Sequence, residues 1–133
     1  MFRLTRPLFN QLRKTTTGIT GLDVHHDPLP ALTKTYETTL SALSALPATS
    51  VYRQGVEALT QRKLSIIKGS NGDISAAEKE LDEGHIEQSL DIAQDELTLV
   101  QKMAEWKAWE PLEEKPPAGQ WEYAGKTATA DSS

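Results

Sequence analysis

The sequence predicts an all-α fold: a small helical bundle of three main amphipathic helices plus one short helix, with an extended N-terminal arm and a Pro/Trp-rich C-terminal tail. Apolar residues recur at the helical period in three long stretches, and caps and stops punctuate them. No run alternates apolar and polar residues as a half-buried strand would. With 133 residues, 38% of them hydrophobic, the chain suits one core plus tails, since a domain takes about 100 to 200 residues. The expected organisation is a basic segment and arm over 1–27, a bundle over 28–110, and a docking tail over 111–133 with a disordered polar end.

Thr15 to Asp27 holds Gly18 and Gly21 and sustains no period, so it reads as the arm, with Gly18-Ile19-Thr20-Gly21 as a turn. Asp27 is placed to cap the first helix, with Pro28 at its first position. Leu29, Leu32, Tyr36, Leu40, Leu43 and Leu46 then line one side up to Pro47. Thr49 or Ser50 caps the second helix, whose Tyr52, Val56, Leu59, Ile66 and Ile67 share a face. Lys63 projects onto that face and Leu64 off it, while Gly55 offers room for close helix approach. Ser75 and Glu78 form a capping-box pattern for the short helix, which ends at Gly84.

The last helix, from about His85 to Glu110, has the most regular pattern: Ile86, Leu90, Ala93, Leu97, Val100, Ala104 and Ala108 make a continuous stripe. A second apolar line, Ile92, Leu99, Met103 and Trp106, runs roughly opposite. One core cannot bury both sides, so either a partner or the chain's own tail covers the second line. Beyond Pro111 come Pro116-Pro117, a pair pre-organised for extended docking, and then Trp121 and Tyr123. Trp106, Trp109, Trp121 and Tyr123, spaced by Pro111, Pro116 and Pro117, are therefore candidate partner-binding residues, because aromatics concentrate at binding hot spots. The other reading of these rings is that they cap the chain's own core.

Charge is unevenly spread. Met1 to Thr17 carries four bases and no acid, with Leu4, Leu8, Phe9 and Leu12 at helical spacing, as in a mitochondrial import signal or a plain basic tail. Asp73 to Glu96 holds nine acids against Lys79 alone, a net of −8 that repels nucleic acid. No stretch approaches the roughly 20 apolar residues of a bilayer-spanning helix.

Chemistry-bearing patterns are sparse. Without cysteine there is no thiolate nucleophile and no Cys-ligated metal. His25, His26 and His85 do not converge as zinc ligands, and Glu87, Asp91 and Asp95 at i, i+4, i+8 read as a solvated face. No phosphate-cradling glycine loop and no nucleophile elbow occurs. The expectation is a protein without a cofactor, metal or active site of its own.

The run Glu105-Trp106-Lys107-Ala108-Trp109-Glu110-Pro111-Leu112-Glu113-Glu114, followed by Pro116-Pro117 and Gln120-Trp121, closely resembles the C-terminal signature of a respiratory complex I accessory family, subunit 5 of the alpha subcomplex. Thr16-Thr17-Gly18-Ile19-Thr20-Gly21-Leu22, Tyr52-Arg53 and Lys63-Leu64 add to the resemblance, which spans about Thr16 to Tyr123. Gly69 to Gly84 matches weakly, and the basic segment Met1 to Lys14 is longer than in animal members. The resemblance implies a non-catalytic subunit of NADH:ubiquinone oxidoreductase. It would sit on the matrix side of the inner mitochondrial membrane, against core and accessory subunits of the peripheral arm near the quinone-reducing module. The competing class is a helical adaptor or chaperone for another mitochondrial complex.

Overall fold

The computed structural model describes residues 14–120, and among them there are four helices and no strand. They are α1 (Pro28–Leu43), α2 (Val51–Gly69), α3 (Ile74–Leu81) and α4 (Ile86–Trp106). The all-α expectation holds. The most extensive packing joins α1 to α4, then α1 to α2, and α3 bridges α2 and α4.

The core divides in two along α1 and α4. Leu32, Tyr36, Ile67, Ala77, Ile86, Leu90 and Ala93 pack together at one end, with Leu29, Leu64, Ile74 and Leu81 around them. Leu43, Leu46 and Val100 form the second cluster, joined by Leu40, Tyr52, Val56, Met103, Ala104 and Trp109. Leu32 and Ile86 are fully enclosed, and burying one such side chain stabilises by about 2 kcal/mol. Helix α1 is rich in threonine, a residue that competes for backbone partners. Here Thr33, Thr35, Thr38 and Thr39 each donate to the carbonyl four residues back, so even the enclosed Thr39 hydroxyl is satisfied.

Several local expectations are corrected. Asp27 occupies the N-cap of α1 but makes no side-chain cap; Pro28, which has no N–H to satisfy, begins the helix instead. Ser50 does cap α2, accepting from the Arg53 N–H. Leu59 is half exposed and Leu64 packs on the core, the reverse of their expected places. Lys63 sits on the packed side because its ammonium pairs with Glu83 in the α3–α4 turn. A Cβ at Gly55 would meet nothing within 4 Å, so no other helix among the described residues uses the room it offers.

The Ser75–Glu78 capping box is absent. Asp73 caps α3 through the Ser75 and Ala76 N–H groups, and Glu78 instead accepts from the Ile86 N–H at the start of α4. Glu87 is buried rather than part of a solvated face, although Asp91 and Asp95 are exposed. Helix α4 stops at Trp106, short of Glu110, because Lys107 turns left-handed at φ 51° and closes the helix onto the Met103 carbonyl.

Candidate functional site

The two ends of α4 carry the two notable constellations. They lie about 30 Å apart, from the 1.5 Å rise per residue of an α-helix.

At the C-terminal end the left-handed Lys107 separates two tryptophans. Trp106 remains on the outside, 63% exposed. Beyond the reversal, Trp109 swings back against Leu43, Leu46 and Val100 and is half-buried. Pro111, Leu112, Pro116 and Pro117 are all exposed, Leu112 to 74%. Of the second apolar line, Ile92 and Leu99 stay exposed while Met103 joins the second core cluster. Candidate residues Trp121 and Tyr123 lie outside the described residues. The structure thus brings Trp106, Leu99 and Ile92 to one outer face of α4, with the proline tail leaving beside it.

At the N-terminal end is a constellation that sequence reading missed. The arm ends where Lys14 inserts its ammonium between Glu87 (2.6 Å), Glu78 (3.3 Å) and the His85 Nδ1 (3.1 Å). The other Glu87 oxygen accepts from the His25 backbone N–H at 3.2 Å, so one carboxylate holds both ends of the arm. Between them Thr17 makes a tight turn: its hydroxyl donates to the Leu22 carbonyl at 2.6 Å and accepts from the Ile19 N–H. Gly18 and Gly21 supply the positive φ that the turn needs.

Burial disfavours both charges, yet each is held in its ionised form. Desolvation opposes the Lys14 ammonium, but the hydrogen bonds to Glu87 and Glu78 outweigh it and raise its pKa above the ordinary lysine value. Desolvation also opposes the Glu87 carboxylate, and the bonds from Lys14, from its own backbone N–H and from His25 hold its pKa below the usual range. The Glu78, His85 and Glu87 ligand atoms lie within 4.8 Å of one another, a spacing that could hold a metal ion. The Lys14 ammonium sits among them, so a metal would have to displace it. An open cavity of about 920 Å³ adjoins this end, lined by Lys14, His25, His26, Pro28, Ile74 and Glu78 among others. It is remote from Trp106.

Three of the residues that carried the family resemblance in α2 make long-range contacts. Tyr52 donates to Glu96 of α4, and burial followed by that bond raises its phenol pKa. Arg53 reaches the Leu46 carbonyl in the loop after α1, and Lys63 pairs with Glu83.

A family described as the ETC complex I subunit conserved region matches residues 21–88. This chain belongs to that family. The Bos taurus NADH dehydrogenase [ubiquinone] 1 alpha subcomplex subunit 5 is 41% identical over 112 residues, covering 84% of this chain and 96% of the relative. A Candida albicans subunit of the same subcomplex is 44% identical over 111 residues, 83% of this chain and 79% of the relative. A subunit 5 relative of Arabidopsis thaliana, named as mitochondrial, is 40% identical over 104 residues, 78% of this chain and 60% of that protein. The family match takes in the end of the arm from Gly21, α1 to α3 and the start of α4, including the Gly69 to Gly84 stretch, and it stops before the tryptophan cluster.

Proposed function

We propose that this chain is a non-catalytic accessory subunit of respiratory complex I, docked on the matrix-side peripheral arm near the quinone-reducing module and stabilising the assembled arm. Its family membership supports the complex. The observation that supports docking is the C-terminal end of α4, where Trp106 stands exposed and Leu112, Pro116 and Pro117 of the following segment are exposed as well. Trp106, Pro111, Pro116, Pro117, Trp121 and Tyr123 form the main anchor in this reading, with Ile92 and Leu99 beside them and Trp109 and Met103 packed beneath. A subunit that binds only the assembled, folded state of its neighbours stabilises that state by mass action.

Attachment to the inner mitochondrial membrane is peripheral in this reading, through the neighbouring subunits. None of the helices among the described residues is long and apolar enough to cross a bilayer. The basic Met1 to Lys14 segment serves import into the matrix, with Arg3, Arg6, Arg13 and Lys14 as its charges. The test is to tag the chain, wash the complex in high salt and run it on a native gel. A permanent subunit stays stoichiometric with NADH:ubiquinone oxidoreductase, whereas an adaptor or chaperone washes off or migrates elsewhere.

A further inference from the structure

We infer that the outer face of α4 is one half of a two-helix seam, and that its occupant is a single amphipathic α-helix of a neighbouring complex I subunit, apolar every seven residues and basic where it meets Asp91 and Asp95. This rests on the reading of the chain as a complex I subunit and adds the chemistry of the neighbour.

Ile92, Leu99 and Trp106 are 45%, 36% and 63% exposed, and they recur every seven residues. On a straight helix such residues drift by only about 20° per repeat, so they trace one shallow line along about 21 Å of the surface. A second helix crossing at a small angle is the element that follows a line of this kind. The face opposite belongs to this chain's own core, since Ile86, Leu90, Ala93 and Val100 are buried against α1 and its neighbours. Residues 110–120 do not bury the line, because Ile92 and Leu99 keep their exposure with all of 14–120 present.

The charges between the apolar residues select the partner. Asp95 and Lys102 occupy the intermediate positions, three residues after Ile92 and Leu99, and Asp91 borders Ile92. Lys102 is already paired, with Glu105 at 2.9 Å. Asp91 and Asp95 are exposed and have no ion pair with the described residues. The seam therefore presents its uncompensated charge as anionic, within a stretch, Asp73 to Glu96, that carries a net of −8. A lysine- or arginine-bearing helix meets that field favourably, and an acidic one is rejected by like-charge repulsion.

The test places a photo-crosslinking amino acid at position 92, and separately at 99, in the full chain within assembled complex I. The expected result is that both positions mark one neighbouring subunit at sites about seven residues apart on a helix. Marks only on this chain's residues 121–133, on a second copy, on sites without that spacing, or on nothing although the chain co-migrates with the complex, would each overturn the seam and leave subunit membership standing. Failure to co-migrate at all would overturn both. A second arm uses the double variant Asp91→Lys and Asp95→Lys, whose side chains touch no core. Its circular dichroism should be unchanged while retention in the complex through a salt wash falls about tenfold, and full retention would contradict the basic partner.

Discussion

The two ends of α4 solve opposite problems. At the N-terminal end a charged carboxylate is buried, and the chain brings its own cation from 73 residues away to meet it. At the C-terminal end apolar side chains are exposed, and nothing among the described residues covers them. A buried charge is tolerated when it is paired and hydrogen-bonded, and the chain itself supplies the partners of both Glu87 carboxylate oxygens, so that charge is complete in the isolated chain. Exposed aromatic surface is tolerated in isolation and becomes useful when another protein covers it. The first end is thus closed by the chain's own residues, while the second is left open among the described residues, where the proposed function puts a partner.

The largest effect on the isolated chain should come from the complete end. Lys14→Met leaves the Glu87 carboxylate buried without its cation, and unfolding in urea should show a loss of about 2 kcal/mol, below the range for a fully buried pair because Lys14 keeps some contact with water. An unchanged midpoint would mean that the arm is not fastened there. The same change should leave co-migration with complex I intact.

Trp109 and Trp106 sharpen the comparison within the other end. Trp109→Ala should destabilise the isolated chain by about 2 kcal/mol, since it strips the second core cluster of its lid. Trp106→Ala should change stability by less than about 0.5 kcal/mol, as an exposed site does, yet weaken attachment to the complex. Equal stability losses for the two would erase the distinction between core ring and docking ring.

Smaller again is the change expected at the helix stop. Lys107 holds φ at 51°, a conformation that costs an L-residue about 1 kcal/mol and glycine almost nothing. Lys107→Gly should therefore raise the urea midpoint slightly without moving Trp109. A fall in stability would show that the lysine side chain contributes something its backbone does not reveal.

Solution pH offers a graded way to undo the arm. Glu87 has a lowered folded pKa, so its contribution is present above the unfolded carboxylate pKa and is lost as pH falls through the folded value. Lys14 has a raised folded pKa, so its contribution is full below the unfolded lysine value of 10.5 and disappears as pH rises through the higher folded one. Exchange protection of the His25 amide, which donates to Glu87, should accordingly hold across neutral pH and fail at both extremes.

Much of the fold was legible because it is local. The 3.6 period of Ile86, Leu90, Ala93 and Val100 fixes a helix and its buried face together, and Ser50 and Pro28 mark helix starts by chemistry that acts within a turn. What was misread depends on distance. Glu78 looked like half of a capping box until Ile86 and Lys14 claimed it. Glu87 looked solvated beside Asp91 and Asp95 because no pattern along the chain reveals a cation 73 residues upstream. Leu59 and Leu64 exchanged roles, Leu64 packing on the first cluster beside Lys63, whose pairing with Glu83 spans 20 residues of sequence. At the C-terminal end of α4, Trp106, Leu99 and Ile92 are exposed opposite the core stripe, but Met103, read as part of the same line, packs into the second cluster. The inward turn of Trp109 was not legible either, since it hangs on one left-handed residue.

In the proposed reading the proline-rich segment after Pro111, which carries Trp121 and Tyr123, is needed to fasten this subunit to its complex, while the chain up to Pro111 folds without it. A chain ending at Pro111, compared with the full chain, tests this directly through circular dichroism in isolation and native-gel migration in mitochondria. The expected result is a helical, soluble monomer that no longer co-migrates with NADH:ubiquinone oxidoreductase. A truncated chain that folds and incorporates as the full chain does would contradict it, and so would one that fails to fold.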